Sequence, residues 1–228
     1  MALTPTQMDA KLDADTKELV ALYQHLHANP ELSLMEVKTA ARMADEVRKL
    51  GYEVTEKVGG NGVVAVLKNG PGPVVLVRTD MDALPVTEQT GLPFASTATA
   101  SFNGQQTGVM HACGHDAHTG ILLGVADALV AMRDTLPGEV MLVFQPAEET
   151  GTGAQAMVDA GLLTRFPKPD VILGQHVMVG PAGSVGSRAG VITSAADSLQ
   201  IRMFGRGAHG SMPQASVDPV VMAAATVL

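Results

Sequence analysis

The chain has 228 residues, 46% of them hydrophobic and 17% charged, which is enough apolar material for a sizeable core and argues against disorder. Fifteen basic against 23 acidic residues leave a formal charge of −8, so the basic footprint that a nucleic-acid backbone requires is excluded. One cysteine, Cys113, excludes an intrachain disulfide framework.

The opening segment MALTPTQMDAKLDADTKEL is polar and mixed in charge, unlike a signal peptide. No run reaches the ~18 apolar residues of a membrane helix, so a cytoplasmic protein without membrane contact is expected. Periodicity predicts a helix from about Asp13 to Ala28, ended by Asn29-Pro30, and a second from about Met35 to Leu50, stopped by Gly51. VVAVLK (63–68) and VVLVRT (74–79) flank the turn signal NGPGP and read as neighbouring strands. A loop rich in Thr, Ser and Gly then leads to a helix starting near Asp116. VMLVFQ (140–145) and VILGQH (171–176) are continuous apolar runs, as expected of strands covered on both faces, with the helix GAQAMVDAGLL between them. Beyond a Gly- and Ser-rich stretch (179–190), SLQIRMFG (198–205) alternates like a half-exposed strand. DPVVMAAATVL (218–228) opens a helix with Asp218 as cap and Pro219 at its first position. The alternation of helix and strand is that of a layered α/β domain.

The chemistry-bearing residues bunch just after predicted strands, where open α/β sheets bind ligands. Asp80 and Asp82 follow one strand, Gln145, Glu148 and Glu149 follow another, and His176 ends a third. His111, Cys113, His115, Asp116 and His118 gather at the start of a helix. Gly114 lets the backbone bend so that the Cys113 thiolate and the His115 imidazole converge, and the helix N-terminus is expected to lower the thiol pKa. Sulfur, nitrogen and carboxylate together suit zinc, nickel, cobalt or manganese better than calcium or magnesium. Glu148 and Glu149 can divide two tasks, one holding metal and the other accepting a proton from water. His118 falls one turn further on, where packing, support of a ligand and ligation are all open. His25 and His27 read as structural or surface residues, and His209 as a histidine of a surface loop.

Several segments together resemble the metallohydrolase family of aminoacylases, hippurate hydrolases and indoleacetyl-amino-acid hydrolases. They are HLHANPELSLME (25–36), VLVRTDMDALPVTE (75–88), GVMHACGHDAHT (108–119), VFQPAEETGTGA (143–154), GQHV (174–177) and GRGAHGSMPQASVDP (205–219). The resemblance implies a zinc-peptidase-like catalytic domain, with a mixed, mostly parallel sheet, over 1–185. An inserted α+β lid or dimerisation domain would begin in 186–228. It implies two divalent metal ions held by Cys113, His115, Glu149 and His176, with Cys113 as the bridge. Glu148 would be the general base, Asp82 would orient the cluster, and His209 would stabilise the oxyanion, reaching the partner's site in a homodimer. The substrate would be a small N-acyl amino acid.

Family chains run on past this length and supply a further histidine ligand. The resemblance therefore implies a fragment or truncated product that, alone, holds metal weakly and hydrolyses little. A metallo-dipeptidase or aminopeptidase and an inactive metal-binding remnant stand as competing readings.

Overall fold

The computed structural model describes residues 4–228 and divides into two units, one through Val179 and one from Gly180 to Leu228. In the first unit, helix α1 spans Pro5–Ala28 and begins well before the expected Asp13. The early start has a local cause. Thr4 and Gln7 form a reciprocal capping box, with Gln7 N donating to Thr4 Oγ1 and Thr4 N donating to Gln7 Oε1, ahead of any apolar periodicity that could reveal it. Helix α2 (Val37–Lys49) ends before the left-handed Gly51, as its sequence predicts.

Strands β1 (Glu53–Val58), β2 (Gly62–Asn69) and β3 (Val74–Asp80) follow. A small hairpin, β4 (Thr99–Phe102) and β5 (Gln105–Gly108), stands where sequence predicts only a loop. Its two turn residues, Asn103 and Gly104, both have positive φ, the turn that matches strand twist. Helix α3 (His115–Ala131), strand β6 (Gly138–Gln145), helix α4 (Gly153–Asp159) and strand β7 (Val171–Gly174) complete the unit.

The main sheet has the order β1-β2-β6-β3-β7. It is mixed, but not mostly parallel: β1·β2 and β2·β6 pair antiparallel, and β6·β3 and β3·β7 pair parallel. Strands β2 and β3 are not neighbours either, since β6 fills the slot between them. The 70–73 turn crosses the beginning of β6, where Glu139 N donates to Pro73 O and a side chain on Gly72 would meet the Gly138 backbone.

The continuous apolar runs are explained by layers on both faces of the sheet. Val63, Ala65, Leu67, Leu142 and Phe144 pack beneath residues of α1, α2 and α3, including Leu22, Met43, Val47 and Leu122. Val64, Val66, Leu76, Met141 and Val143 face the opposite layer with Met157 of α4 and Leu162. Strand β7 departs from the expectation of full cover, for Ile172 is 63% exposed. The carboxyl ends of β3, β6 and β7 share one edge, with Asp80 paired to Gln145 and Arg78 to Gly174.

In the second unit, the strand expected over 198–205 does not form; one isolated bridge joins Arg206 to Val217. Helix α5 (Pro219–Val227) does form, with Asp218 Oδ1 accepting from Val220 N as the sequence predicts. Among the described residues no helix is long and apolar enough to cross a membrane.

Candidate metal centre

The strand edge of the first unit gathers six of the seven residues to which the resemblance gives a role. Cys113 and His115 arrive on the approach to α3. Gly114 between them is the left-handed N-cap (φ +87), and a Cβ there would lie 2.3 Å from Val177 Cγ2, so only glycine fits. Glu148 and Glu149 come from the turn after β6, and His176 from the segment after β7. His209 lies in the second unit, where its Nδ1 accepts the Ser211 amide.

His115 is fully buried at the focus. Its Nε2 lies 3.7 Å from Asp80 Oδ2, 3.7 Å from Glu149 Oε1 and 3.8 Å from Glu148 Oε2, and its Nδ1 lies 3.3 Å from Asp82 Oδ1. Cys113 Sγ is 3.5 Å from His176 Nε2. Three sets of potential ligand atoms lie within 4.8 Å of one another: Cys113/His115/His176, His115/Glu148/Glu149 and Asp80/His115/His118.

The third set already has an internal explanation. His118 Nε2 accepts from Val177 N (2.9 Å), so its Nδ1 carries the proton and donates to Asp80 Oδ1 (2.7 Å). His118 thereby ties the segment bearing His176 to β3. His176 Nδ1 donates to Val177 O (2.7 Å), which leaves the Nε2 lone pair facing Cys113. Asp82 Oδ2 accepts from Ser33 Oγ (2.6 Å) and from Glu149 N (3.0 Å). Arg78 joins β3 to β6, donating to Asp80 Oδ2 (2.7 Å) and Gln145 Oε1 (2.9 Å).

The charge balance favours a cation. Burial would raise Asp80, but the His118 hydrogen bond and the charges of His115 and Arg78 hold it at about 2. Burial pushes Glu149 up, and Glu148 and Asp82 add to that. Burial and the surrounding carboxylates push the Cys113 thiol up to about 12, the reverse of the lowering expected from a helix start. The dipole of one helix end is outweighed by Glu149, Glu148 and Asp80. His115 Nε2 and Glu149 Oε1 are buried without a hydrogen-bond partner among the described residues. Buried polar atoms without hydrogen-bond partners, in an excess of carboxylates, are the arrangement that divalent ions satisfy, so the donor set fits them.

Residues that sequence left without a task also support this edge. His27, buried on α1, joins Asp116 Oδ2 (2.6 Å), next to His115, to Glu88 Oε1 (3.1 Å). Burial lowers an imidazole, but the two carboxylates outweigh it and raise His27 above its ordinary 6.5. A raised folded-state value stabilises fully below pH 6.5 and is lost as pH rises through that value. His27→Asn is expected to cost about 3 kcal/mol in urea unfolding at pH 6. The difference between wild type and variant will narrow towards pH 9; an equal cost at both pH values would refute the charged bridge. His111 is buried with neither nitrogen hydrogen-bonded among the described residues, and burial lowers it to about 4.

Comparison with known proteins adds to this geometry. Residues 76–227 match the family described as peptidase family M20/M25/M40. The chain is similar to thermostable carboxypeptidase 2 of Saccharolobus solfataricus, 41% identical over 92% of this chain and 53% of that protein. It is also similar to an N-acyl-L-amino acid amidohydrolase of Geobacillus stearothermophilus, 36% identical over 99% of this chain and 59% of that one. The chain thus spans little more than half the length of these relatives. Among solved structures, the Bacillus subtilis YXEP protein, a dinuclear metal binding peptidase from the M20 family, superposes with a TM-score of 0.64 at 38% identity. That match covers 72% of this chain and 43% of that one.

Proposed function

The chain belongs to peptidase family M20/M25/M40, and on that premise we propose that the whole protein is a metal-dependent amidohydrolase of N-acyl amino acids. The observation that carries the reading is the convergence of Cys113, His176, Glu148 and Glu149 on His115, whose Nε2 has no hydrogen-bond partner among the described residues. Cys113, His115, Glu149 and His176 would hold two divalent ions of zinc, manganese, nickel or cobalt. Such ions, when bound, supply the positive charge that acidifies water and polarises an acyl carbonyl.

Glu148 is the general base. It takes a proton from the attacking water, whose oxygen bonds to the acyl carbon, and returns the proton to the amine as the C–N bond breaks. Asp82 holds the His115 side of the cluster and the Glu149 backbone in register. In a homodimer, His209 is assigned to the acyl oxygen in the site of the partner subunit, where negative charge develops. A homodimer formed through a lid that begins in residues 186–228, and a cytoplasmic location, complete the proposal. The lid and the homodimer are supported by the resemblance of the GRGAHGSMPQASVDP segment.

The similarity to a dinuclear metal binding peptidase favours one competitor, a metallo-dipeptidase or aminopeptidase acting on peptides with free amines. Steady-state kinetics of the full-length protein on N-acetyl and N-benzoyl amino acids, beside dipeptides with free amines, separates the two. A higher kcat/KM on the acylated substrates is expected. Preference for the dipeptides would replace the acylase reading with the peptidase one.

A further inference from the structure

Glu36 ends the segment HLHANPELSLME and is 0% exposed. It stands at the N-cap of α2, where a carboxylate would ordinarily accept from the first free amides. Glu31 does that instead: its carboxylate accepts from Lys38 N (3.2 Å), Thr39 N (2.8 Å) and Thr39 Oγ1 (2.9 Å). Glu36 is thereby free to turn into the protein. Its Oε1 accepts from Leu34 N (2.9 Å) and from Ala147 N (2.7 Å), 111 residues away, and its Oε2 accepts from Asn61 Nδ2 (3.0 Å).

Both amides on Oε1 belong to non-glycine residues in the left-handed region, Leu34 (φ 69) and Ala147 (φ 49), a conformation that a Cβ disfavours. Ala147 directly precedes Glu148 and Glu149. The same turn is closed from behind, because Ala147 O accepts from Gly153 N (3.1 Å) and a Cβ on Gly153 would lie 1.6 Å from Pro146 O. A strained residue that sets the direction of two functional carboxylates needs a strong local restraint, and a buried carboxylate accepting its amide is one.

We propose that Glu36 is a positioning residue: its buried carboxylate holds Ala147 left-handed and so aims Glu148 and Glu149 at His115. Its effect on metal and turnover rests on the amidohydrolase reading; its effect on the turn rests on the geometry alone. What the clamp requires is an acceptor at the right distance. Glutamine at 36 keeps Oε1 for both amides, and Asn61 can turn its own oxygen to the new NH₂ at the loss of its Nδ2 bond to Leu34 O (3.1 Å), which lies outside the Ala147 turn. Aspartate keeps the charge but withdraws it by a methylene.

The test compares Glu36→Gln, Glu36→Asp and Glu36→Ala in the full-length protein. The readouts are Ala147 amide hydrogen exchange by NMR, zinc affinity of the metal-stripped protein by calorimetry, and kcat and KM on an N-acetyl amino acid. Glu36→Asp and Glu36→Ala are expected to speed Ala147 exchange about 10-fold or more. They should lower zinc affinity and kcat by about 10- to 100-fold with KM little changed, while Glu36→Gln stays near wild type. Should the alanine variant not fold, the Gln and Asp pair decides. Wild-type behaviour of Glu36→Asp beside an impaired Glu36→Gln would overturn the clamp, since charge and not reach would then matter. A lowered melting temperature with unchanged exchange, affinity and kcat would overturn it too, leaving only a packing role. If the wild type neither binds zinc nor hydrolyses, the amidohydrolase reading falls, and exchange at Ala147 still decides the clamp.

Discussion

On the proposed amidohydrolase reading, Glu148→Gln in the full-length protein is expected to lower kcat for amide hydrolysis by about 10²- to 10⁴-fold, the range that a positioned general base contributes, while the variant still retains divalent metal. The two adjacent glutamates differ in setting. The Glu149 side chain is 20% exposed, its backbone amide is tied to Asp82, and its Oε1 is buried without a hydrogen-bond partner among the described residues. The Glu148 side chain is 40% exposed, open to water and substrate, with Oε2 still 3.8 Å from His115 Nε2. The buried oxygen suits a ligand and the exposed one a proton acceptor. Glutamine preserves the shape and removes the proton affinity, so turnover should fall and metal content should not. Elemental analysis beside steady-state kinetics reads both. Loss of metal in Glu148→Gln would exchange the roles of the two glutamates, and wild-type kcat would remove Glu148 from the reaction.

His115→Ala should be more severe for the metal. His115 is common to all three sets of potential ligand atoms, so its loss dismantles each of them at once. It also leaves the carboxylates of Asp80, Asp82, Glu148 and Glu149 facing one another without the imidazole between them. Retained divalent metal is expected to fall by more than about 100-fold, beyond the loss that follows when a residue merely supporting a ligand is removed. Turnover should fall with it. His25→Ala, at an exposed position of α1, serves as the control and should retain metal. Metal content after dialysis measures the contrast. Equal retention in the two variants would abolish this centre.

The chain order of helices and strands and the chemical character of the site were legible because both rest on short-range pattern. An unbroken run such as VVAVLK can only be buried on two faces, and β2 is so buried. Cys113, Gly114 and His115 lie within three residues, and the left-handed Gly114 that joins them is a local requirement. The hairpin at 99–108 is equally local: Asn103-Gly104, set within a polar loop, is its signal.

What sequence alone could not decide is what distant chain segments settle between them. The position of β6 between β2 and β3 follows from a crossing at Gly72 and Pro73, not from the turn signal that made those strands look adjacent. The Cys113 thiol is governed by burial and then by carboxylates from two other strand ends, which together override its own helix. His118 finds Val177 across 59 residues, His27 finds Asp116 across 89, and Glu36 finds Ala147 across 111. A buried polar side chain must be satisfied, but its partner is whichever group the sheet topology brings within about 3 Å. Residue type and spacing therefore determined which potential ligand atoms this chain offers, and tertiary packing decided which groups hold those atoms in place.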